Sequence, residues 1–216
     1  MIKLLLLAAT EREAAPFRDH GLSVVVSGVG RVNAAVSTAL ALKRAEFDAA
    51  LSVGIAGALP GSELNPGAVV VADRAIYAEE GMLAPDGFHD LASMGFPPAQ
   101  FFQGNAVACD RGLVEGLAAG ISGARIGAIA TVATCSATDA GAREIMERTG
   151  ALAEAMEGAA VVHAARLLGT PAGEVRAISN WTGDREKQGW DLNAALETLA
   201  EIARGLSAAG AAYRTG

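Results

Sequence analysis

Cysteine is scarce in this chain of 216 residues, since only Cys109 and Cys135 occur. Two cysteines cannot build a disulfide framework or a cysteine-rich zinc site, and their number predicts a protein of a reducing compartment. Aromatic residues are also few, at 5%, whereas hydrophobic residues reach 51%. This composition excludes a disordered chain and predicts a buried core, in one domain over residues 1–216.

Basic residues and long apolar runs are lacking as well. Lys and Arg number 17 against 24 Asp and Glu, a net charge of −7, which argues against a nucleic-acid partner and leaves small-molecule chemistry open. The opening apolar run ends at Ala9, too short for an export signal, and nothing later approaches the roughly 20 apolar residues of a membrane span. We therefore expect a cytoplasmic protein without a membrane partner.

Short apolar runs alternate with helix-like segments along the chain. The predicted strands are Ile2–Ala9, Ser23–Ser27, Ala49–Val53, Ala68–Ala72, Ala75–Ala78, Arg125–Ala130 and Glu174–Ser179. The predicted helices are Glu11–His20, Arg31–Ala45, Asp110–Ala119, Asp139–Thr149, Met156–Leu168 and Asp191–Leu206. This alternation predicts an α/β fold with helices on both faces of a largely parallel sheet.

Two segments carry apolar residues with a particular expectation. In the helix Arg31–Ala45, one face is lined at helical spacing by Val32, Ala35, Val36, Ala39 and Leu40, which predicts a helix with one apolar face. Residues Gly81–Gly104 are predicted as a long loop that contains four of the six phenylalanines, Phe88, Phe96, Phe101 and Phe102. An exposed apolar loop is typical of a subunit interface or a ligand lid.

Candidate functional residues cluster where predicted strands end, because ligands of open α/β sheets bind at the carboxyl ends of strands. Such ends are Thr10–Glu13, Gly28–Arg31, Gly54–Gly57 (a loop in this interpretation) and Ser179–Asp184, and Glu157 begins a helix. An acidic residue in the first helical turn, such as Glu13 or Glu157, is also favoured by the helix dipole alone. A pair of carboxylates from distant strand ends is what glycosidic cleavage needs.

Other constellations give weaker signals. Gly28 and Gly30 suggest a dinucleotide fingerprint, but Asn33 stands where the third glycine is expected, so a tight strand-to-helix turn is favoured. No histidine is placed as a base for Cys135, and both cysteines are predicted to be structural. His163 lies in an apolar helix and is predicted to be a core residue.

Six segments, read in order, resemble motifs of the purine nucleosidase and nucleoside phosphorylase superfamily. They are Ala9–Glu13 (ATERE), Gly28–Ala35 (GVGRVNAA), Val53–Leu59 (VGIAGAL), Asn65–Val70 (NPGAVV), Glu154–Ala160 (EAMEGAA) and Arg176–Asn180 (RAISN). The resemblance spans nearly the whole chain and implies a three-layer α/β/α fold with a twisted, mostly parallel mixed sheet. Within the superfamily the motifs look most like the branch that acts on futalosine, a relative of the methylthioadenosine/adenosylhomocysteine nucleosidases.

The resemblance implies a role for each matching residue. Glu13 falls where the nucleosidases carry the carboxylate that activates the attacking water. Met156 and Glu157 fall where the family packs against ribose and accepts hydrogen bonds from its hydroxyls. Trp190 matches an aromatic position of the base and side-group pocket, and Ile55 stands where some nucleosidases place a serine near the reaction centre.

Asn180 departs from the adenine-specific nucleosidases, which carry an aspartate that protonates the leaving base. An asparagine cannot act as a general acid, but its amide can donate to the carbonyl of a 6-oxopurine. Asn180 therefore suits hypoxanthine, the base that futalosine releases. Arg185 is the candidate partner of the carboxylate of futalosine, with a solvated loop position as the alternative.

The activity that the resemblance implies is hydrolysis of futalosine to hypoxanthine and dehypoxanthine futalosine in menaquinone biosynthesis. It implies no metal or organic cofactor, and a homodimer or a higher homo-oligomer. Phosphorolysis is disfavoured because residues 8–13 lack the Gly-Asp-Pro motif of the phosphorylases, although Arg31 could bind an anion. The alternatives are a methylthioadenosine/adenosylhomocysteine nucleosidase, a purine nucleoside phosphorylase and a nucleoside-binding protein without catalysis.

Overall fold

The computed structural model describes residues 3–212. Eleven strands are described, namely β1 (Leu4–Ala8), β2 (Val24–Val26), β3 (Ala49–Ala58), β4 (Val69–Tyr77), β5 (Gly81–Ala84), β6 (Gly87–Asp90), β7 (Phe102–Gln103), β8 (Ala106–Ala108), β9 (Arg125–Thr131), β10 (Ala153–Ala155) and β11 (Ala172–Trp181). The helices are α1 (Glu11–Asp19), α2 (Arg31–Arg44), α3 (Arg111–Gly120), α4 (Asp139–Thr149), α5 (Gly158–Leu167) and α6 (Leu192–Ala212). A 3₁₀ turn covers Arg185–Lys187.

Nine strands form one mixed sheet in the order β2-β1-β3-β10-β9-β4-β8-β7, and β11 pairs with both β3 and β4. The pairs β1–β2, β1–β3, β3–β11, β4–β9 and β9–β10 are parallel. Because β10 joins β3 to β9 while β11 joins β3 to β4, the strands β3, β11, β4, β9 and β10 close into a ring. The carboxyl ends of β3 and β11 lie side by side in that ring.

The helices lie in two layers on opposite faces of the sheet, and each layer packs on the sheet through its own apolar cluster. Side chains of α2 and α5, such as Ala34 and Val161, pack in the first cluster. Phe17 of α1 and Leu199 and Ile202 of α6 pack in the second and are fully buried. The predicted three-layer α/β/α class is therefore confirmed.

The strand boundaries correct the sequence interpretation at the centre of the sheet. Gly54–Gly57 is not a loop, because β3 continues through it to Ala58 and pairs with β11 along this length. The predicted strands Ala68–Ala72 and Ala75–Ala78 are one strand, β4, with a register shift between Ala72 and Ala75. Of the first predicted strand, Ile2 lies outside the described residues.

The apolar face predicted for α2 lies largely at the surface of the described structure. Val32, Val36 and Leu40 are exposed, at 77%, 52% and 51%, whereas Ala34 and Thr38 are buried. The helix packs on the sheet and α5 through small residues, because a small side chain allows two elements to approach closely. Leu42 packs against the first cluster, whereas Val32, Val36 and Leu40 are left as a stripe at the surface.

The segment Gly81–Gly104 is more ordered than the predicted loop. It contains the hairpin β5–β6 and the strand β7. Phe101 and Phe102 pack with His163, and the Phe102 ring also stacks on Tyr77. Phe96 is 72% exposed, so only part of this segment can serve as a lid or an interface.

Among residues 3–212, none of the helices combines the length and the apolar character that crossing a membrane requires.

Candidate active site

Glu13 lies in the first turn of α1, and its carboxylate is buried against β3. Thr10 caps this helix, since its hydroxyl oxygen accepts from the Glu13 backbone N–H at 3.3 Å. The same hydroxyl donates to Glu13 Oε2 at 2.7 Å, and the backbone N–H of Ile55 donates to Oε1 at 3.0 Å. The side chain therefore turns inward to a strand of the sheet, which a residue present only to complement the helix dipole would not do.

Glu157 precedes α5 and is also buried. Its side chain makes no capping bond to its own helix. Instead Oε1 accepts from the backbone N–H of Gly30 at 2.9 Å, at the start of α2, and Oε2 lies 3.3 Å from Arg176 Nη2. The carboxylate thus joins the starts of two helices to the interior of β11.

Arg176 on β11 connects the two carboxylates and was missed by the sequence interpretation. Its side chain is 1% exposed, and Nη2 donates to Ser52 Oγ at 2.8 Å as well as to Glu157. Burial by itself would lower the pKa of Arg176, but the charges of Glu174, Glu157 and Glu13 outweigh burial and raise it. The guanidinium is therefore a permanent positive charge at the centre of the site.

Gly54 provides the space in which these groups meet. A Cβ atom at this position would overlap Glu13 Oε1 and would lie 2.6 Å from Arg176 Nη1. Both atoms consequently lie against the same side of β3. Residues 13, 157 and 176, which are far apart in the chain, are brought together here.

Asn180 lies farther along β11, at its carboxyl end. It is in register with Gly57 of β3, and Glu154 of β10 is in register with the same glycine from the other side. Gly57 follows Gly54 by three residues, about 10 Å at the rise of a strand. Asn180 Oδ1 accepts from Ser179 Oγ at 2.7 Å, and Nδ2 donates to the Trp181 carbonyl at 2.9 Å. One amide hydrogen of Nδ2 is left for a ligand.

Glu154 is another buried carboxylate, and the sequence interpretation missed it. Its oxygens accept from the backbone N–H and the hydroxyl of Ser136, at 2.8 and 2.6 Å. Burial raises the pKa of Glu154, and the bonds from Ser136 oppose that shift. The strand that carries this residue leads directly to Met156 and Glu157.

Met156 is half-buried beside Cys135, whose Sγ lies 3.5 Å from Met156 Sδ. Burial raises the pKa of the Cys135 thiol, and the nearby Glu154 and Glu157 raise it further. A thiol with a raised pKa is a poor nucleophile. Cys135 is exposed, and its structural role stays a prediction. Met156 precedes α5, so the predicted helix Met156–Leu168 begins two residues too early.

The remaining predicted site residues lie around the ends of β3 and β11. Ile55 contributes its backbone N–H to Glu13, while its side chain packs in the cluster with Phe17. Trp190 is 56% exposed and donates from Nε1 to Gln188 Oε1 at 2.9 Å. Arg185 is exposed in the 3₁₀ turn, where its backbone N–H donates to the Ala137 carbonyl.

The turn Gly28–Gly30 is explained by the site and not by a dinucleotide. Asn33 Nδ2 donates to the Val29 carbonyl at 2.8 Å and closes this turn, and the N–H of Gly30 is used by Glu157. Arg31, the candidate anion ligand, forms an ion pair with Glu80 at 2.8 Å. Arg31 is thus paired with a carboxylate of this chain, and its binding of an anion stays a prediction.

One sequence signal could have identified Arg176 and Glu174. Both are charged residues within a predicted buried strand, in the run Glu174-Val175-Arg176. A charge in such a strand is costly unless it is paired, so it marks a functional or a tightly paired position. For a metal, by contrast, the part of the chain that the structure describes offers no group of three suitable ligands.

The fold and this site define the class of protein. The chain belongs to the phosphorylase superfamily, whose family model matches residues 15–208. Its fold is that of the 5′-methylthioadenosine/S-adenosylhomocysteine nucleosidase of Neisseria meningitidis, with a TM-score of 0.79 at 22% identity over 96% of this chain and 100% of that chain.

Within the superfamily the chain belongs to the futalosine hydrolase family. It is 37% identical over 193 residues to the futalosine hydrolase of Streptomyces coelicolor, covering 84% of this chain and 76% of that protein. It is 36% identical over 194 residues to that of Thermus thermophilus, covering 88% and 83%. A 5′-methylthioadenosine/S-adenosylhomocysteine nucleosidase of Chromohalobacter salexigens is 32% identical over 76% of this chain and 69% of that protein.

Proposed function

We propose that this protein is a nucleosidase that hydrolyses the N-glycosidic bond of futalosine, in the cytoplasm and as a step of menaquinone biosynthesis. The observation that carries the chemistry is the meeting of two buried carboxylates, Glu13 and Glu157, around the Arg176 guanidinium. The names of its relatives at 36–38% identity support futalosine as the substrate.

Glu13 is the group that activates water. Its carboxylate takes a proton from the attacking water as the oxygen bonds to the ribose carbon and the bond to the purine nitrogen breaks. The electron pair of that broken bond leaves with the base, and the proton taken up by Glu13 is returned through solvent to the departing base, so that water is added across the bond. Two donors, the Ile55 N–H and the Thr10 hydroxyl, hold the carboxylate in one orientation, and such positioning lowers the barrier of a step that needs precise geometry.

Glu157 holds the ribose. As the bond to the base lengthens, positive charge develops on the sugar ring, and a buried carboxylate beside it stabilises that charge. The same carboxylate can accept hydrogen bonds from ribose hydroxyls. Arg176 remains bonded to Glu157, so the carboxylate has a partner of opposite charge in a place shielded from water.

Asn180 favours a 6-oxopurine as the leaving base. Its free N–H can donate to a carbonyl acceptor on the ring, whereas adenine presents an amino donor at the same edge. Met156 and Trp190 border the sugar and the side group in this proposal, and Arg185 binds the benzoate of futalosine. A 5′-methylthioadenosine nucleosidase is the second candidate, because a relative of that name reaches 32% identity.

The decisive experiment measures free base released from futalosine, inosine and methylthioadenosine, with and without inorganic phosphate. We expect hypoxanthine from futalosine at a rate that phosphate does not change. Base release that requires phosphate would identify a phosphorylase, and no release from any of the three would indicate a binding protein.

The variant Asn180→Asp tests the specificity of the same site. An aspartic acid can protonate a leaving adenine, so the ratio of kcat/KM for methylthioadenosine to that for futalosine should rise, by about tenfold or more if one charge-assisted hydrogen bond is gained. The measurement is kcat/KM for both substrates with wild type and variant. An unchanged ratio would remove Asn180 from the account of specificity.

We also propose a homodimer. The exposed stripe Val32, Val36 and Leu40 on α2 supports it, as does the exposed Phe96. Three large apolar side chains in a row on one helix are costly in water, and a contiguous patch of this kind marks an interaction surface.

A further inference from the structure

Glu174 is a further buried carboxylate at this site, and the mechanism above does not use it. Its side chain is 0% exposed, and Oε1 accepts from Arg176 Nε at 2.8 Å from two residues away on β11. Oε2 has no hydrogen-bond partner among the described residues. A buried carboxylate with an unsatisfied oxygen costs free energy of folding, so its presence calls for a role.

Gly158 makes room for this carboxylate. It is the first residue of α5 and follows Glu157 directly. A Cβ atom at Gly158 would overlap both carboxylate oxygens of Glu174. The two positions are therefore matched, and Glu174 in its present place requires a glycine beside Glu157.

The planar geometry of the guanidinium explains why the hydrogen bond between Arg176 Nε and Glu174 affects the whole group. The group is planar and its N–H directions are fixed, so holding Nε fixes where both Nη atoms lie. Nη2 then meets Ser52 Oγ and Glu157, and Nη1 lies against Gly54, where Glu13 also lies. Without Glu174, the Nε atom would lose its acceptor and the plane could rotate.

We propose that Glu174 is a positioning residue of the active site, which holds the Arg176 guanidinium in the one plane that faces Glu13 and Glu157 together. The inference rests on the proposed function, because it assigns Glu174 an effect on that reaction through Arg176. Glu174 does not touch the substrate. Gly158 is part of the same arrangement, because its lack of a Cβ atom leaves room for the Glu174 carboxylate.

The first test compares Glu174→Ala with Glu174→Gln on futalosine. Misplacing a catalytic group by about 1 Å can cost about 10²-fold, and we expect a fall in kcat of that order for Glu174→Ala with a smaller change in KM. Glutamine keeps an oxygen that accepts from Nε, so Glu174→Gln should recover most of the lost kcat.

A matched control separates positioning from stability. Leu199→Ala removes a fully buried side chain on α6, in the apolar cluster of Phe17, and should lower the urea concentration at the midpoint of unfolding. Its kcat per folded molecule should remain that of the wild type. If folded Glu174→Ala also retains the wild-type kcat, Glu174 is only structural and the proposal is wrong.

The second test is a double-mutant cycle with Gly158→Ala. The added methyl group must displace the Glu174 carboxylate, so Gly158→Ala should lower kcat by a similar factor. Because both changes disturb one contact, the double variant should lose no more than Glu174→Ala alone. Losses that multiply would show that Gly158 acts independently of Glu174 and would overturn the pairing.

A readout without turnover distinguishes this inference from the proposed function. If the wild type releases no base from any nucleoside, the proposed function fails. Crystal structures of the wild type and of Glu174→Ala then test the positioning. The distance from Arg176 Nη2 to Glu157 Oε2, which is 3.3 Å here, should be longer in the variant. An unmoved guanidinium in the variant contradicts the inference whatever the substrate is.

Discussion

At the scale of single residues, the site consists of charges that are buried and paired. Glu13, Glu157, Glu174 and Arg176 are all shielded from water, and each side chain has at least one bond to another element or to another charge of the group. Pairing makes burial of such charges tolerable, and removal of one partner leaves the others uncompensated. Substitutions that keep the shape of these residues are therefore the informative ones.

Glu13→Gln tests the role of Glu13 as the general base that activates water. Glutamine keeps the size of the side chain but cannot take a proton from water, so kcat should fall by about 10²–10⁴-fold while the protein remains folded. Glu11→Gln is the matched control, because it removes the same charge from the same helical turn at an exposed position. Kinetics with futalosine and circular dichroism measure both. Full turnover in Glu13→Gln would refute the mechanism.

We predict that His163 makes the folded protein less stable in acid. Its buried Nε2 has no partner among the described residues, and burial lowers the pKa of the ring below its ordinary value of 6.5. The neutral ring is thus favoured in the folded state, and the unfolded chain binds the proton more readily as the pH falls below 6.5. This contribution to stability is present above that pH and decreases below it.

The check on His163 uses urea unfolding above and below pH 6.5. His163→Phe keeps an aromatic ring beside Phe102 but does not titrate, so the variant should lose less stability on acidification than the wild type. Equal losses in both proteins would show that another group controls the acid response.

At the scale of elements, the parallel strands β3 and β11 build the site because their carboxyl ends lie side by side. Their register places Gly54 beside Arg176 and Gly57 beside Asn180. The glycines of β3 were interpreted as a loop, since glycine is depleted in strands. In a strand, glycine also marks the close approach of another group, and here the approaching groups are Glu13 and Arg176.

Gly54→Ala tests this interpretation of the strand. The residue has a φ of 155°, and its new methyl group would overlap the Glu13 carboxylate. We expect a loss of more than about 1 kcal/mol in stability together with a fall in kcat. Gly116→Ala is the control, because that glycine lies within α3 with open space around it and its replacement should stabilise by about 0.5–1 kcal/mol. Wild-type kcat in Gly54→Ala would contradict the close approach.

At the scale of the whole molecule, the layers leave the apolar stripe of α2 uncovered. The spacing of Val32, Val36 and Leu40 predicts an apolar helix face correctly, but it does not tell which structure covers that face. In the described structure, α2 packs on the sheet with a different face, which carries the buried residues Ala34 and Thr38. A second copy of the chain is the partner we propose for the stripe.

Sedimentation of the protein tests the dimer. We expect a mass twice the 21.8 kDa of one chain and a monomer for the double variant Val32→Lys, Val36→Lys, because a buried lysine at the interface is strongly unfavourable. Ala119→Lys on the exposed side of α3 is the control and should remain dimeric. A wild-type monomer, or a dimer that survives both lysines, would exclude this surface.

The sequence by itself determined the fold class and predicted Glu13 and Glu157 as candidate site residues. Alternating apolar runs define α/β topology because each run must bury its own surface, and Glu13 and Glu157 stand in short motifs whose neighbours are adjacent in the chain. Only the tertiary structure decided that both carboxylates meet Arg176, that Gly54 is strand, and that Glu174 is matched to Gly158. Those contacts join residues from separate elements, and cross-strand register and helix packing, which place them, leave no periodic mark in the amino-acid order.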